Sequence, residues 1–203
     1  MVSLQWIFYM MIIFFALVGS LRGWQREVLA LTGLIASIAA LNQFGYAFIN
    51  NLVNGFTFTE TPLDSTQLEQ AFFRAQLIFH CTIAFFSYQV VAKLAEGVAG
   101  NRFGDRMREG FQRRFIGAIL GAVNGYLVIG GIWSFLEFQL TPTGYVQRAL
   151  NTPYPFDANL IVRPLMDATN MGVVQYLPLA LIGPNLWLLF FFVAFFIVII
   201  ALI

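Results

Sequence analysis

Five long apolar runs divide the chain. Residues 4–21 and 28–53 carry no charge, 71–92 carry only Arg74 near one end, and 115–136 and 181–203 are again uncharged. A helix needs about 20 predominantly apolar residues to cross a hydrocarbon core of about 30 Å. In lipid the backbone must satisfy its own hydrogen bonds, which leaves helices or closed barrels. The alternating pattern of barrel strands, about ten residues per strand, is missing. The pattern therefore predicts an all-α fold: a polytopic integral membrane helical bundle of about five transmembrane helices plus interfacial helices. The expected organisation is a four-helix membrane domain over 1–140, an extracytoplasmic interfacial segment over 141–180, and a C-terminal transmembrane helix over 181–203.

The charges between the runs orient them. The first connection holds Arg22, Arg26 and Glu27, and the second holds Glu60, Asp64 and Glu69 with no Lys or Arg. The third carries Lys93, Arg102, Arg106, Arg108, Arg113 and Arg114, six of the 11 basic residues; the fourth carries Arg148 and Arg163 against Glu137, Asp157 and Asp167. Basic residues gather on the cytoplasmic side of short loops. Connections one and three are thus expected in the cytoplasm, with the N-terminus outside and the C-terminus inside. The arginines follow the first run instead of preceding it, so that run is expected to be a retained anchor and not a cleaved signal peptide.

Two connections have patterns of their own. Phe103, Met107, Phe111 and Phe115 recur every four residues, while Arg102, Arg106 and Arg113 lie away from that stripe and Arg108 flanks it. This predicts an interfacial helix over 102–114 that anchors the third connection at the headgroups, with its arginines and Arg114 able to meet anionic lipid or a cytoplasmic partner. The fourth connection holds Pro142, Pro153, Pro155, Pro164 and Pro178 among short apolar pieces. Short helices lying on the outer face are expected there, with Tyr145, Tyr154, Tyr176 and Trp187 as an aromatic belt.

Within the fourth run, Gly117, Gly121 and Gly125 form two overlapping GxxxG repeats. Glycines four apart share one helix face and let another backbone approach closely, which drives association where apolarity alone cannot. The second run offers a mate in Ala30, Gly33, Ser37 and Ala40. The third run contains polar residues, Gln76, His80, Cys81, Thr82, Ser87 and Gln89, and Asn124 sits in the fourth. Intramembrane polar groups mark functional sites or interhelical hydrogen bonds. Arg74 is expected to snorkel outward or to pair with Glu69 or Glu137.

Composition agrees with lipid. The 203 residues are 59% hydrophobic and only 10% charged, against about 25% charged in soluble domains. Net charge is +1, which argues for no nucleic-acid partner. A lone Cys81 excludes an internal disulfide, and a lone His80 excludes a metal site needing two imidazoles. His80 remains compatible with a single axial bond to a pigment. No cofactor is required, although a bound lipid or pigment fits the composition. No nucleophile–base pair, Walker loop, zinc spacing or dinucleotide fingerprint is present, so the chain is not expected to be an enzyme.

Gly19-Ser20-Leu21-Arg22-Gly23-Trp24-Gln25-Arg26-Glu27 closes the first run, and the small-residue second run follows. Residues 114–126, Arg-Phe-Ile-Gly-Ala-Ile-Leu-Gly-Ala-Val-Asn-Gly-Tyr, open the fourth. Together these resemble the colicin V production protein (CvpA) family over roughly residues 1–140. The apolar run from Leu181 lies beyond the four spans common in that family. The resemblance implies a small bacterial inner-membrane protein linked to colicin V export, envelope homeostasis and biofilm behaviour, with no catalytic residues to carry over. In the turn itself Gly23 permits a reversal, Arg22 and Arg26 hold the cytoplasmic face, and Glu27 complements the dipole of the next helix.

The leading expectation is a non-enzymatic multi-pass protein of this type in envelope transport or homeostasis. Two other classes compete: an accessory scaffold subunit of a bioenergetic or photosynthetic membrane complex, and an oligomeric pore or transporter. Expected partners are membrane lipids and either other membrane subunits or further copies of the chain.

Overall fold

The computed structural model describes residues 4–56, 63–91, 110–149, 152–157, 161, 163–164 and 173–202. Among these, α1 spans Leu4–Arg22, α2 Trp24–Phe56 and α3 Ser65–Phe86, with a π-helical turn over Ser87–Val91 continuing α3. Then come α4 (Gly110–Glu137), β1 (Phe138–Thr141), β2 (Gly144–Gln147), the single turn α5 (Pro178–Leu181) and α6 (Pro184–Leu202). Helices dominate, as the apolar runs require.

The ends of the helices follow local chemistry. Gly23, at φ +86°, stops α1, and its N–H donates to the Gly19 carbonyl at 2.9 Å. A side chain here would be strained by that φ, and a Cβ would also lie 2.8 Å from Arg113 Nε. Asp64 starts α3 with a capping box: its carboxylate accepts from the Ser65 N–H at 2.7 Å, and Gln67 Oε1 accepts from the Asp64 N–H. Such reciprocal caps satisfy donors that a helix start leaves open.

α4 is the axis of the bundle. α1 lies along one side of it, while α2 packs on another side and carries α3 and α6 in turn. One core cluster joins Phe8, Trp133, Phe135, Leu136, Tyr154 and Leu177; a second joins Leu34, Ile38, Leu127, Val128 and Trp187. The face of α1 opposite α4 exposes Trp6, Met10, Ile13, Leu17 and Leu21, as suits a surface solvated by lipid.

Among the described residues, three helices are long and apolar enough to cross a membrane by length and composition: α1, α2 over Trp24–Val53, and α4. That is fewer than the five runs suggest. α3 has the length, but Glu69, Gln70, Arg74, Gln76 and His80 dilute its apolar character. α6 is 19 residues with no charge, and several of its side chains fall outside the described residues. At 33 residues α2 runs about 50 Å at 1.5 Å per residue, well beyond the bilayer core.

Three further expectations change. The segment after α4 begins with a β-hairpin, not with a helix. β1 pairs antiparallel with β2, with Leu140 opposite Tyr145 and Thr141 opposite Gly144. Phe138 and Leu140 turn inward and Gln139 outward, the period-two alternation of a strand. Pro142 and Thr143 make the turn, Gly144 takes φ +113°, and the Thr141 hydroxyl donates to the Gly144 carbonyl at 2.7 Å. Of the interfacial helix, residues 102–109, with Arg102, Arg106 and Arg108, lie outside the described residues. Residues 110–114, with Arg113 and Arg114, are the first turns of α4 itself.

The third change concerns the glycine face. Gly117, Gly121 and Gly125 face α1, not α2. A Cβ at Gly117 would meet the Gly19 carbonyl oxygen and one at Gly121 the Phe15 carbonyl oxygen, while one at Gly125 would lie 2.7 Å from Phe15 Cβ. Gly19 supplies the reciprocal gap, with Gly121 Cα 2.7 Å from where its Cβ would be. The stripe on α2 serves α3 instead: Gly33 lies under Ser87 and Ser37 meets His80.

Candidate functional site

Buried polar residues gather at three levels. At the end of the bundle holding the α1–α2 turn, Glu27 is fully buried in the first turn of α2. Three other segments converge on it. The Asn124 amide on α4 donates to Glu27 Oε2 at 2.7 Å and to the Glu27 carbonyl at 3.0 Å. The Tyr88 hydroxyl, placed by the π turn, donates to Oε2 at 3.1 Å. Arg22, from the last turn of α1, brings Nη1 to 3.5 Å from Oε1, an ion-pair contact without hydrogen-bond geometry. Arg22 also donates to the Tyr88 carbonyl at 2.9 Å and stacks over the Tyr88 ring at 4.4 Å.

Glu27 thus does more than offset a helix dipole. A buried carboxylate is costly unless paired and hydrogen-bonded, and this one ties α1, α2, α3 and α4 together. Truncating Asn124 removes its strongest neutral donor. We expect Asn124→Ala to cost about 1.5–3 kcal/mol, the range for a hydrogen bond to a charged group. Thermal unfolding in detergent measures this, and an unchanged midpoint would contradict the tie.

Midway along the bundle, His80 is also fully buried. Ser37 Oγ lies 2.9 Å from its Nδ1, and Phe135 meets its ring edge-on at 5.5 Å. Among the described residues its Nε2 has no hydrogen-bond partner in good geometry, and it faces the α4 backbone, where a Cβ at Gly131 would sit 3.1 Å away. An axial bond to a pigment needs open space at that nitrogen, and the packing on Gly131 leaves none for a macrocycle. No cluster of three or more metal-ligating side chains occurs among the described residues. Gln76, one turn before His80, accepts from the Tyr145 hydroxyl at 2.7 Å and donates to the Phe72 carbonyl at 3.1 Å. That contact fastens the hairpin to α3.

At the opposite end, Glu137 closes α4 and is again fully buried. Arg163 grips it with Nη2 on Oε1 and Nε on Oε2, the latter at 3.1 Å. The Tyr154 hydroxyl donates to Oε2 at 3.2 Å and accepts from the Trp133 indole N–H at 3.1 Å. Burial pushes the Tyr154 phenol well above its ordinary range, and the Glu137 carboxylate adds to the effect, so it stays a donor. Arg163 Nη1 also donates to the Ala149 and Thr152 carbonyls. Beside this group Arg148 pairs with Glu69 at 2.8 Å and donates to the Leu136 carbonyl at 2.8 Å.

Neither Glu69 nor Glu137 pairs with Arg74, which is exposed and, among the described residues, reaches Gln70 at 3.5 Å. Arg148 and Arg163 take those carboxylates because the chain after β2 folds back over the end of the bundle. Residue spacing carries no signal for this. The hairpin itself is signalled by the alternating Phe-Gln-Leu-Thr and Gly-Tyr-Val-Gln around Pro-Thr.

The family model of the colicin V production protein matches residues 4–156. No curated protein matches the chain, and no solved structure does.

Proposed function

The chain belongs to the colicin V production protein family, and from that membership we propose a non-enzymatic, multi-pass protein of the bacterial inner membrane that acts in envelope transport and homeostasis. In this reading α3 and α6 complete five spans. The Glu27 end, with Arg22, Arg26, Arg113 and Arg114, faces the cytoplasm, and the Glu137 end with the hairpin faces outside.

The observation that carries the reading is the Glu27 junction. Its polar groups belong to α1, α2, the π turn and α4, and they hold one another. Such an arrangement supports a role in building the bundle over one in chemistry. Arg22 and Glu27 belong to the RGxxRE turn that the family resemblance rests on, so the turn and the junction are one feature. Paired buried charges at both ends also suit a chain that must present defined surfaces to other components of the envelope.

Gentle extraction of the full chain, followed by size analysis and identification of what travels with it, tests this. A small homo-oligomer, or a complex with envelope components, is the expected result. Recovery within a large assembly of pigment- or haem-bearing subunits would instead make the chain an accessory scaffold. Solute flux in proteoliposomes of the pure chain would make it a pore or transporter.

A further inference from the structure

A pocket of about 240 Å³ lies between the end of α2, the start of α3 and the hairpin. Sites that enclose drug-sized ligands run about 300–1,000 Å³, so this one holds a single small group. The hairpin roofs it from two fixed footings. On α2, a Cβ at Gly45 would lie 3.3 Å from Leu140 Cδ2. On α3, Gln76 accepts from the Tyr145 hydroxyl at 2.7 Å. Leu140 and Gln76 both line the pocket, so its shape is built before any occupant arrives. Leu68, Gln139 and Pro142 line it too and are exposed, which leaves a way in from outside the bundle.

Walls, charge and depth together specify the occupant. Phe72, Phe73, Phe135 and Phe138 wall the pocket, and aromatic faces and edges pack well on another flat ring. Its charged lining residues, Glu69 and Arg148, pair with one another at 2.8 Å, and Gln139 donates to Glu69 at 3.2 Å. A charged ligand would leave water without an unpaired counter-charge to meet it, which is costly, so the occupant is neutral. Tyr46 and Asn50, one turn apart on α2, complete the lining. The Tyr46 ring packs on Phe72 at 5.8 Å. The Tyr46 hydroxyl and the Asn50 amide make no hydrogen bond to another described residue. Both groups can donate, and a carbonyl oxygen is the acceptor that matches them. Asn50 lies 26 residues beyond Trp24, about 39 Å along a helix, and a bilayer with its headgroups is about 40–45 Å thick. With the first turn of α2 at one surface, the pocket lies at the other, the level where rings with an apolar body and a polar edge settle. We propose that this pocket binds the ring of a quinone, its face against the phenylalanines and a carbonyl oxygen accepting from Tyr46 and Asn50. The ring arrives either as the head of a membrane quinone, its tail leaving past Leu68, or as a free soluble quinone. The inference rests on membrane placement alone, so a failed envelope role would leave it standing.

The full chain, purified in neutral detergent and stripped of lipid, is offered a benzoquinone with a ten-carbon tail, the same ring without the tail, or decanol, the tail without the ring. Retained molecules are counted by native mass spectrometry. Both ring compounds are expected to saturate at one per chain, with decanol held no better than background. Tighter retention of the tailed form would assign the site to a membrane quinone, and equal retention of the two rings to a free one. Asn50→Leu should weaken ring retention by about two- to tenfold, the scale of one hydrogen bond. Leu68→Trp, which fills the mouth, should abolish it, and its thermal midpoint read alongside shows that the variant folds. Decanol retained as well as the quinones by the unmodified chain would overturn the proposal. So would a chain that retains neither ring, or a quinone held undiminished by both variants.

Discussion

Gly121→Leu is expected to open the seam between α1 and α4 and to cost about 3 kcal/mol or more, the upper range for overpacking a close contact. Gly121 is buried, and a Cβ there would run into the Phe15 carbonyl oxygen and lie 2.9 Å from Gly19 Cα. Both obstacles are backbone, so no rotamer change relieves them. The helices must separate, and Gly19–Gly117 and Gly125–Phe15 then lose contact as well. In lipid that contact is what holds helices together. At about 2–4 °C per kcal/mol for a chain of this size, the midpoint in detergent should fall by roughly 10 °C. Gly55→Ala is the control. Among the described residues nothing lies within 4 Å of its added Cβ, and an exposed helical glycine replaced by alanine gains up to about 1 kcal/mol. A Gly121→Leu midpoint equal to that of the unmodified chain would show that the seam is not what holds α1 in place.

Arg163→Met is expected to destabilise the opposite end by about 3–5 kcal/mol, the usual consequence of leaving one member of a buried pair without its partner. Glu137 is fully buried, and Arg163 is its ion-pair partner. The same arginine also anchors the strap, the chain that folds back over the bundle end after β2, through the Ala149 and Thr152 carbonyls. Its loss should therefore expose the strap to protease as well as lower the midpoint. Arg163→Met combined with Glu137→Leu separates the two effects. Replacing a whole buried pair by apolar residues is often neutral or better, so the double variant should recover much of the midpoint while the strap stays cleavable. A single variant as stable and as protease-resistant as the parent would remove Glu137 from the account of how that end closes.

The helices themselves were legible. Uncharged runs of bilayer length predict α1, α2 and α4 within a few residues of where they lie, and Gly23 marks the reversal that its φ requires. The GxxxG face announces close approach, because a glycine face offers backbone to whatever meets it. Its mate was harder to read. Ala30, Gly33, Ser37 and Ala40 form a longer small-residue stripe than Gly19 alone, yet α1 occupies the face. One glycine suffices there because it sits opposite both Gly117 and Gly121, and a matched pair of gaps in register outweighs a longer stripe out of register. The hairpin was missed because its strands are four residues each and follow a helix without a break.

Charge counts give an expected orientation through the loops, without reference to any contact. They carry no information on which carboxylate meets which arginine. Glu27 and Arg22 are five residues apart, but the Tyr88 and Asn124 that complete the junction are 61 and 97 residues from Glu27. Hydrophobic period and length are local properties, so the sequence by itself determined a membrane-spanning helical bundle, its tight turn and its glycine face. Pairing is decided by which surfaces meet once the helices are side by side. Only the tertiary structure could therefore assign α1 to the glycine face and Arg163 to Glu137.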